Sequence, residues 1–337
     1  MHSTFGLTDL YPQPQRLRIG SILHVLLTDP DPRMVQHRAV LDVAVREAAA
    51  RGWLDTEAWG RLRAGDDAGV VSILDEVLLA HMFDRAGYSL RFHPPGWGGR
   101  VGELLVQRDD VTLFIEVKSL LPAESAVLMQ TTLALLRDLA TTIPLRARLT
   151  IEIDHHPGSG ISHKEVRRYL QLAAEQLLDG GSPPAAYHHT SGLYLRATAC
   201  EPADVAQLEL VQTVEDWPGQ IAHAQRVWRD RLWRALRGGY TQLPHDGPPA
   251  LILVVDHAAD PPPVTQWLPP TQDMLRMGLH RHLSAVGRMT LDGLHADPPQ
   301  ITLLHNPNAL APLPETCLIS PAERHICILP PPELERV

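Results

Sequence analysis

Cysteine pairs, membrane-spanning runs and an excess of positive charge are all missing from this sequence. The three cysteines (Cys200, Cys317 and Cys327) are odd in number and lack metal-ligand spacing, which argues against a disulfide framework or a cysteine zinc site. No apolar run approaches the roughly 18 residues of a membrane span. The first residues also lack the basic and then apolar layout of a secretory signal. These absences predict a cytoplasmic protein with no membrane partner.

The net charge of −9 excludes a protein coated in basic surface for nucleic acid. A local basic groove is compatible with that charge, so a nucleic-acid partner remains open. A hydrophobic fraction of 44% over 337 residues suffices for one large domain or two modest ones.

Lysine is almost absent as well. Only Lys118 and Lys164 stand against 28 arginines. In a chain that otherwise uses arginine, a remaining lysine indicates a position where arginine does not serve. Lysine is a compact ammonium whose pKa moves, whereas arginine is a planar, permanently charged fork. Lys118 lies in a predicted strand and is the first candidate for chemistry, while Lys164 lies in a predicted helix and is expected to be exposed.

The periodicity of apolar residues predicts helices interleaved with strands, which indicates an α/β fold. Helices are predicted at 33–51, 55–64, 69–86, 123–140, 162–179, 219–237 and 271–283, and strands at 88–93, 101–107, 111–118, 146–154, 193–199, 250–256, 285–291 and 300–305. Residues 1–66 are predicted to form an N-terminal helical region and 67–337 the main α/β domain. The proline-rich stretch 261–270 is the candidate for a further boundary.

The strands 101–107 and 111–118 are predicted to form a hairpin with Asp109 and Asp110 at its turn. In that register the numbers of facing residues sum to 219, so Glu103 faces Glu116, and Lys118 shares the face of Glu116. Two carboxylates that face each other repel and destabilise a hairpin. A divalent cation between them removes the repulsion, and Mg²⁺ prefers such hard oxygen ligands.

Glu76 is a third candidate acid. Its neighbours on the predicted helix 69–86 are apolar, and a carboxylate in such surroundings is costly unless something pairs with it. A metal site or a lysine beneath the helix is expected to relieve that cost.

The order of these residues resembles the PD-(D/E)XK, or restriction-endonuclease-like, nucleases. That family has a helix with Glu, then a hairpin with one acid, then Asp/Glu-x-Lys on the next strand. Here Glu76, Gly102-Glu103 and Glu116-Val117-Lys118 follow that order and spacing. Gly102-Glu103 replaces the family's Pro-Asp, which lengthens the acid by one methylene. The resemblance implies a restriction-endonuclease-like core, a mixed central sheet flanked by helices.

The resemblance also implies a function. Glu103, Glu116 and the Val117 carbonyl would hold Mg²⁺ (or Mn²⁺), Lys118 would orient the attacking water and stabilise charge on the phosphate, and Glu76 would bind a second metal or its water. The implied activity is metal-dependent, endonuclease-like hydrolysis of phosphodiester bonds, with DNA as the favoured partner and bacterial defence or repair as the setting. The alternative is a catalytically inactive module of the same fold that binds nucleic acid or a protein partner.

The predicted helix 219–237 carries a candidate nucleic-acid surface. Arg226, Arg229 and Arg237 share one of its faces with Trp233, which suits contacts along a phosphate backbone. An ordinary surface helix anchored by its tryptophans is the other interpretation.

Near the other end of the chain, Asn306-Pro-Asn308 predicts a turn, because Asn-Pro favours turns and asparagine tolerates left-handed backbone.

Overall fold

The protein is described from a computed structural model. The structure describes residues 5–17, 21–64, 67–94, 102–121, 135–139, 141–143, 147–153, 162–178, 182, 184–188, 193–199, 207–211, 217–257, 263–276, 278, 280–290, 301–314 and 328–329. The three cysteines lie outside these residues.

The helices with their bounds are α1 (Leu7–Leu10), α2 (Ile22–Thr28), α3 (Pro32–Arg51), α4 (Thr56–Ala64), α5 (Asp67–Arg85), α6 (His163–Leu178), α7 (Trp217–Tyr240) and α8 (Val264–Arg276). The strands are β1 (Ser89–Phe92), β2 (Leu104–Arg108), β3 (Val111–Leu120), β4 (Ala147–Ile153), β5 (Tyr187–His188), β6 (Leu193–Ala199), β7 (Gln207–Val211), β8 (Ala250–Asp256), β9 (Ala285–Thr290), β10 (Thr302–His305) and β11 (Ile328–Leu329).

Most predicted elements are confirmed within a few residues, including the α/β class. Of the helix predicted at 123–140, residues 135–139 are helical and 123–134 lie outside the described residues. None of the helices in the described part of the chain is long and apolar enough to cross a lipid bilayer.

Local signals explain where α3 and α5 begin and end. Asp31 caps the start of α3 by accepting a hydrogen bond from the Arg33 amide at 2.8 Å, and Pro32 occupies the first turn, where no donor is needed. Helix α5 ends at Arg85 and is followed by Gly87, whose φ of +83° is a left-handed conformation that glycine adopts without strain. The Tyr88 amide then donates back to the Phe83 carbonyl at 3.0 Å, which closes the helix.

The chain divides into two compact units. Unit 1 comprises residues 1–14, 26–122 and 224–337, and unit 2 comprises 15–25 and 123–223. The sequence predicted neither of these divisions. The predicted boundary region 261–270 falls inside unit 1, and the N-terminal helices α3 and α4 belong to unit 1 as well.

Unit 1 contains a mixed sheet in the order β1-β2-β3-β8-β9-β10, extended at its edge by the two-residue strand β11. The strands β1, β2 and β3 are antiparallel, β3, β8 and β9 are parallel, and β10 runs antiparallel to β9. Every residue of the central strand β8 is buried, as expected for a parallel strand covered on both faces.

One face of this sheet packs against α7 and α8. Its apolar cluster includes Phe114 of β3, Ile252 of β8, Leu236 of α7 and Trp267 of α8, all nearly inaccessible to solvent. Helix α5 packs against the other face, where its Asp75 meets Ser119 of β3. Since strand side chains alternate faces, Glu116 and Lys118 lie on the α7 side of β3.

The helix predicted at 271–283 is displaced and instead spans Val264–Arg276, so that Pro269 and Pro270 lie inside it. Proline disfavours helix interiors because it lacks an amide donor. Here the buried side chains of Trp267, Met274 and Leu275 hold the helix on the sheet, and tertiary packing overrides local propensity.

Unit 2 contains a four-stranded sheet in the order β5-β6-β4-β7. Helix α6 and the helical residues 135–139 share an apolar cluster with this sheet. The cluster includes Leu136, Val166, Leu170 and Leu195.

Candidate active site

The β2–β3 hairpin has the register that the sequence predicts. Leu104 pairs with Ile115 and Arg108 with Val111, so facing residue numbers sum to 219. Asp109 adopts a left-handed conformation with a φ of +56°, which suits the tight turn of a right-twisted hairpin. The register brings Glu103, which immediately precedes β2, level with Glu116.

Gly102 occupies a position where a side chain does not fit. A Cβ atom there would lie 2.1 Å from the Phe114 ring, far inside van der Waals contact. This close approach accounts for glycine at the position where the resembled family has proline. The backbone is fixed on both sides, since the Gly102 amide donates to the Pro94 carbonyl at 3.3 Å and the His93 amide to the Glu103 carbonyl at 2.9 Å.

Glu103, Glu116 and Lys118 come together at the end of this hairpin. The Lys118 Nζ atom lies 2.6 Å from Glu116 Oε1 and 3.8 Å from Glu103 Oε1. The other oxygen of Glu103 accepts a hydrogen bond from the Val117 amide. Pairing between β2 and β3 ends at Leu104, so Glu103 occupies the opened edge of β3.

The Val117 carbonyl is one of the metal ligands that the resemblance implies, and the direction of the Val117 amide indicates where that carbonyl lies. In a regular strand the amide and carbonyl of one residue point to the same side. Because the Val117 amide faces Glu103, we expect the Val117 carbonyl at the same open edge.

Glu116 is unusual because its side chain is wholly inaccessible to solvent. Among the described residues, neither of its carboxylate oxygens accepts a hydrogen bond of good geometry. The Lys118 ammonium contacts it as an ion pair. Burial raises the pKa of Glu116 from its ordinary 4.5 to about 7, against the opposing effect of Lys118, and the charge of Glu76 adds to the rise.

The pKa of Glu103 also lies well above its ordinary value. Burial is the main cause, and the negative charges of Glu116 and Glu76 act in the same direction. The Lys118 ammonium and the Val117 amide oppose the rise without cancelling it. Two acids with raised pKa values beside one cation are the electrostatic signature of a site that favours additional positive charge.

Glu76 lies on α5 and is 1% exposed. The Ser72 hydroxyl donates to its Oε1 at 3.2 Å, and His93 Nε2 donates to its Oε2 at 3.2 Å. The sequence predicted a metal site or a lysine beneath this acid, and among the described residues no lysine contacts it. A histidine and a hydroxyl satisfy this acid, and Arg61 Nη1 lies 3.9 Å away. In the described part of the chain, no hydrogen bond or ion pair joins Glu76 directly to Glu103, Glu116 or Lys118, although its charge raises the pKa values of Glu103 and Glu116.

His93 is held between two acids. Its Nδ1 atom lies 2.9 Å from Asp55 Oδ2 while Nε2 contacts Glu76, and the hydrogen bond to Glu76 is the main cause of its raised pKa. The backbone of His93 has a φ of +44°, which is uncommon outside glycine. Sequence reasoning did not identify His93, Asp55 or Arg61.

Helix α7 and the turn after it complete the surroundings of Lys118. Gln242 Oε1 accepts a hydrogen bond from Lys118 Nζ at 2.7 Å. A Cβ atom on Gly239 would lie 3.4 Å from Glu116 Cγ, so the helix backbone closes directly over that carboxylate. Gln242 was also missed, because no local pattern links it to a strand 124 residues earlier.

Two buried polar networks support the ends of β3 and β8. Asp75 accepts a hydrogen bond from the Ser119 hydroxyl, and its Oδ2 lies 2.9 Å from His257 Nε2. Burial opposes the charged form of His257, but the charge and hydrogen bond of Asp75 outweigh it and raise its pKa. In the second network, Arg288 Nη2 donates to the buried Asp256 at 2.5 Å.

An open cleft of about 350 Å³ lies beside these groups. Its lining includes Arg61 of α4, Ser72 of α5, and Val117 and Lys118 of β3. Its volume falls within the range of about 300–1,000 Å³ that is usual for ligand sites.

Three arginines of α7, Arg226, Arg229 and Arg237, are exposed to solvent. The tryptophans of the same helix anchor it, because Trp228 and Trp233 are partly buried against the apolar cluster of unit 1. The tryptophans therefore anchor the helix, as the interpretation of an ordinary surface helix requires. The three exposed arginines remain accessible to a ligand in solution.

The donor chemistry of the site fits a hard divalent cation. Among the described residues, no group of three or more His, Cys, Asp and Glu side chains is arranged to hold a metal ion. Mg²⁺, however, is usually bound by one or two carboxylates with waters and substrate phosphates. Glu103 and Glu116 could supply two such carboxylates, since Glu116 contacts Lys118 through Oε1 and neither of its buried oxygens accepts a hydrogen bond of good geometry from the described residues.

No family model, curated protein or solved structure matches this chain.

Proposed function

We propose that this protein is a metal-dependent nuclease that hydrolyses phosphodiester bonds, with DNA as the favoured substrate. The observation that carries the proposal is the cluster of Glu103, Glu116 and Lys118, of which Lys118 lines a cleft. The two acids have raised pKa values, and the wholly buried Glu116 is paired with the Lys118 ammonium at 2.6 Å. The order of these residues is that of the PD-(D/E)XK nucleases, whose restriction-endonuclease-like core is proposed here as well.

Each residue has a distinct part in this proposal. Glu103, Glu116 and the Val117 carbonyl hold the cation, and Glu76 binds a second one or its water. Bound Mg²⁺ or Mn²⁺ supplies charge neutralisation at the phosphoryl oxygens and a lower pKa for its water. Lys118, held by Gln242 at 2.7 Å, orients the attacking water and donates to the phosphate as its negative charge develops.

The exposed arginines of α7 are proposed to contact the nucleic-acid backbone. Arg226, Arg229 and Arg237 add a local positive surface to a protein whose net charge is −9. A role in bacterial defence or repair follows only by analogy with the resembled family, because a fold does not fix a function.

The test is cleavage of plasmid and linear DNA with Mg²⁺ or Mn²⁺ by the wild type, Lys118→Ala and Glu116→Ala. Loss of a positioned donor or charge at a reacting centre lowers rates by about 100-fold or more. Lys164→Ala is the matched control, because Lys164 is the only other lysine and is exposed. Equal cleavage by all four proteins would refute the site.

A second candidate is a nuclease-like module without catalytic activity that binds nucleic acid or a protein. One observation favours it: the Lys118 ammonium already pairs with Glu116 at 2.6 Å and so supplies a cation to the acids. Isothermal titration with Mn²⁺ separates the two candidates. Binding that Glu103→Ala abolishes supports the enzyme, and absence of binding to the wild type supports the module.

A further inference from the structure

Arg61 of α4 lines the same cleft as Lys118, although it lies in the helical region that the sequence placed outside the α/β domain. The two cations come from different elements, since Arg61 lies on a helix before α5 and Lys118 lies on the central sheet. Ser72 also lines the cleft, and its hydroxyl donates to Glu76 at 3.2 Å.

The guanidinium of Arg61 has N–H donors that the described residues do not occupy. Its side chain is 36% exposed, and its one ion pair among the described residues is to Glu76 Oε1 at 3.9 Å, beyond hydrogen-bond distance. Glu76 is already satisfied by Ser72 and His93, both at 3.2 Å. Glu76 therefore does not need a hydrogen bond from Arg61, and the five N–H donors of the guanidinium remain able to bind another group.

Lys118 differs from Arg61 in this respect. Its ammonium donates to Gln242 at 2.7 Å and contacts Glu116 at 2.6 Å, so two of its three donors are occupied by the protein. Of the two cations that the described residues bring to the lining of this cleft, Arg61 has the larger unoccupied capacity for an external anion. The neighbouring Arg63 is committed elsewhere, because its guanidinium lies over the Trp59 ring at 5.3 Å.

We propose that Arg61 binds a backbone phosphate of the nucleic-acid strand in this cleft, next to the phosphate on which Lys118 acts. The planar fork of arginine matches two phosphate oxygens, which a lysine does not. This inference rests on the proposed nuclease function for the identity of its ligand. It makes the N-terminal helices part of the substrate site.

The experiment measures binding of a short, fluorescein-labelled single-stranded DNA by fluorescence anisotropy in EDTA, over a series of NaCl concentrations. The proteins are the wild type, Arg61→Ala, Arg61→Gln and the control Arg63→Ala from the same helix. Loss of one charged phosphate contact is expected to weaken binding about tenfold. The slope of log affinity against log salt should flatten by about 0.7, and Arg63→Ala should match the wild type in both quantities.

A structural role for Arg61 would lower the melting temperature without changing the salt slope. Thermal melts are therefore recorded for every variant, and a folded Arg61→Gln carries the test if Arg61→Ala does not fold. Arg61 variants that bind with the affinity and salt slope of Arg63→Ala would overturn the proposal.

Cleavage kinetics separate this inference from the proposed function. If the wild type cleaves DNA, Arg61→Ala should raise KM with little change in kcat, because the contact is present before and during the reaction. An unchanged KM would overturn the Arg61 assignment and leave the nuclease intact. If the wild type does not cleave but Arg61→Ala still flattens the salt slope, the phosphate site stands and the enzyme fails.

Discussion

Glu116→Gln should stabilise this protein at alkaline pH, although it removes an acid that contacts a lysine. Glutamine has nearly the shape of a protonated glutamate and carries no charge. Lys118 keeps two other partners in the variant, Gln242 at 2.7 Å and Glu103 at 3.8 Å. The substitution therefore removes a buried charge without leaving the lysine unpaired.

The magnitude follows from the pKa of Glu116, which burial raises from 4.5 to about 7. A shift of that size means that the charged form in the folded protein is disfavoured by about 3 kcal/mol relative to the neutral form. Below pH 4.5, Glu116 is protonated in the folded and unfolded chains alike, and wild type and variant should have similar stability. Between pH 4.5 and 7, the folded protein retains a proton that the unfolded chain has released, so the wild type loses stability as pH rises.

The assay is urea denaturation at pH 5 and pH 8, followed by tryptophan fluorescence, since Trp53, Trp59, Trp228, Trp233 and Trp267 all lie in unit 1. The free energy of unfolding of Glu116→Gln should exceed that of the wild type by up to about 3 kcal/mol at pH 8 and by much less at pH 5. Glu57→Gln, which removes an exposed acid from α4, is the control and should show no such gain at pH 8.

Mn²⁺ provides the second half of the same test. A cation bound to the folded protein stabilises it in proportion to occupancy, so Mn²⁺ should raise the melting temperature of the wild type and not that of Glu116→Gln. If Glu116→Gln is less stable than the wild type at pH 8, the folded protein does not disfavour the charged form of Glu116. That result would refute the idea that the site favours additional positive charge.

Two further substitutions test the supports of the site. Gly102→Ala should lower the free energy of unfolding, measured by urea denaturation, by about 1–3 kcal/mol, because the new methyl group would overlap the Phe114 ring. Adding Phe114→Leu to the variant should recover part of the loss. An unchanged denaturation midpoint for Gly102→Ala would contradict the close approach. Asp75→Asn should cost about 1–3 kcal/mol by weakening the bonds to Ser119 and His257. Asp75 raises the pKa of His257 above 6.5, so the stability that the protonated His257 contributes is present below pH 6.5 and is lost as pH rises through the raised value. The free energy of unfolding should therefore differ more between pH 6 and pH 9 for the wild type than for Asp75→Asn.

The cluster of Glu103, Glu116 and Lys118 was predictable because strand geometry is local. A two-residue turn at Asp109 and Asp110 fixes the register of the hairpin, and the period of two then fixes which side chains share a face. The scarcity of lysine directed attention to Lys118. The buried state of Glu76 was predictable for a similar reason, since helical periodicity identifies its apolar neighbours.

The partners of those residues were not predictable. Gln242 reaches Lys118 from a turn 124 residues later, and nothing in the spacing of either segment specifies that contact. His93 has a left-handed backbone that no local pattern required, and its contact with Glu76 depends on how β1 leaves the end of α5. The boundaries of unit 2 were missed because both units have ordinary α/β composition, without a change at residue 123 or 223.

The energetic cost of burying Glu116 is an argument for the proposed nuclease over the proposed inactive module. Glu116 lies beneath helix α7 and pairs with the Lys118 ammonium at 2.6 Å, and its pKa of about 7 leaves it partly charged at neutral pH. A neutral side chain of similar shape at that position would stabilise the fold above neutral pH, because burial disfavours the charged form even beside Lys118. Binding nucleic acid does not require it either, since an acid repels phosphate. A hard cation is the ligand for which two such acids are an advantage, and the Lys118 ammonium beside them is what a phosphate bound to that cation requires. The cost of burying Glu116 therefore supports the proposed enzyme over the proposed module.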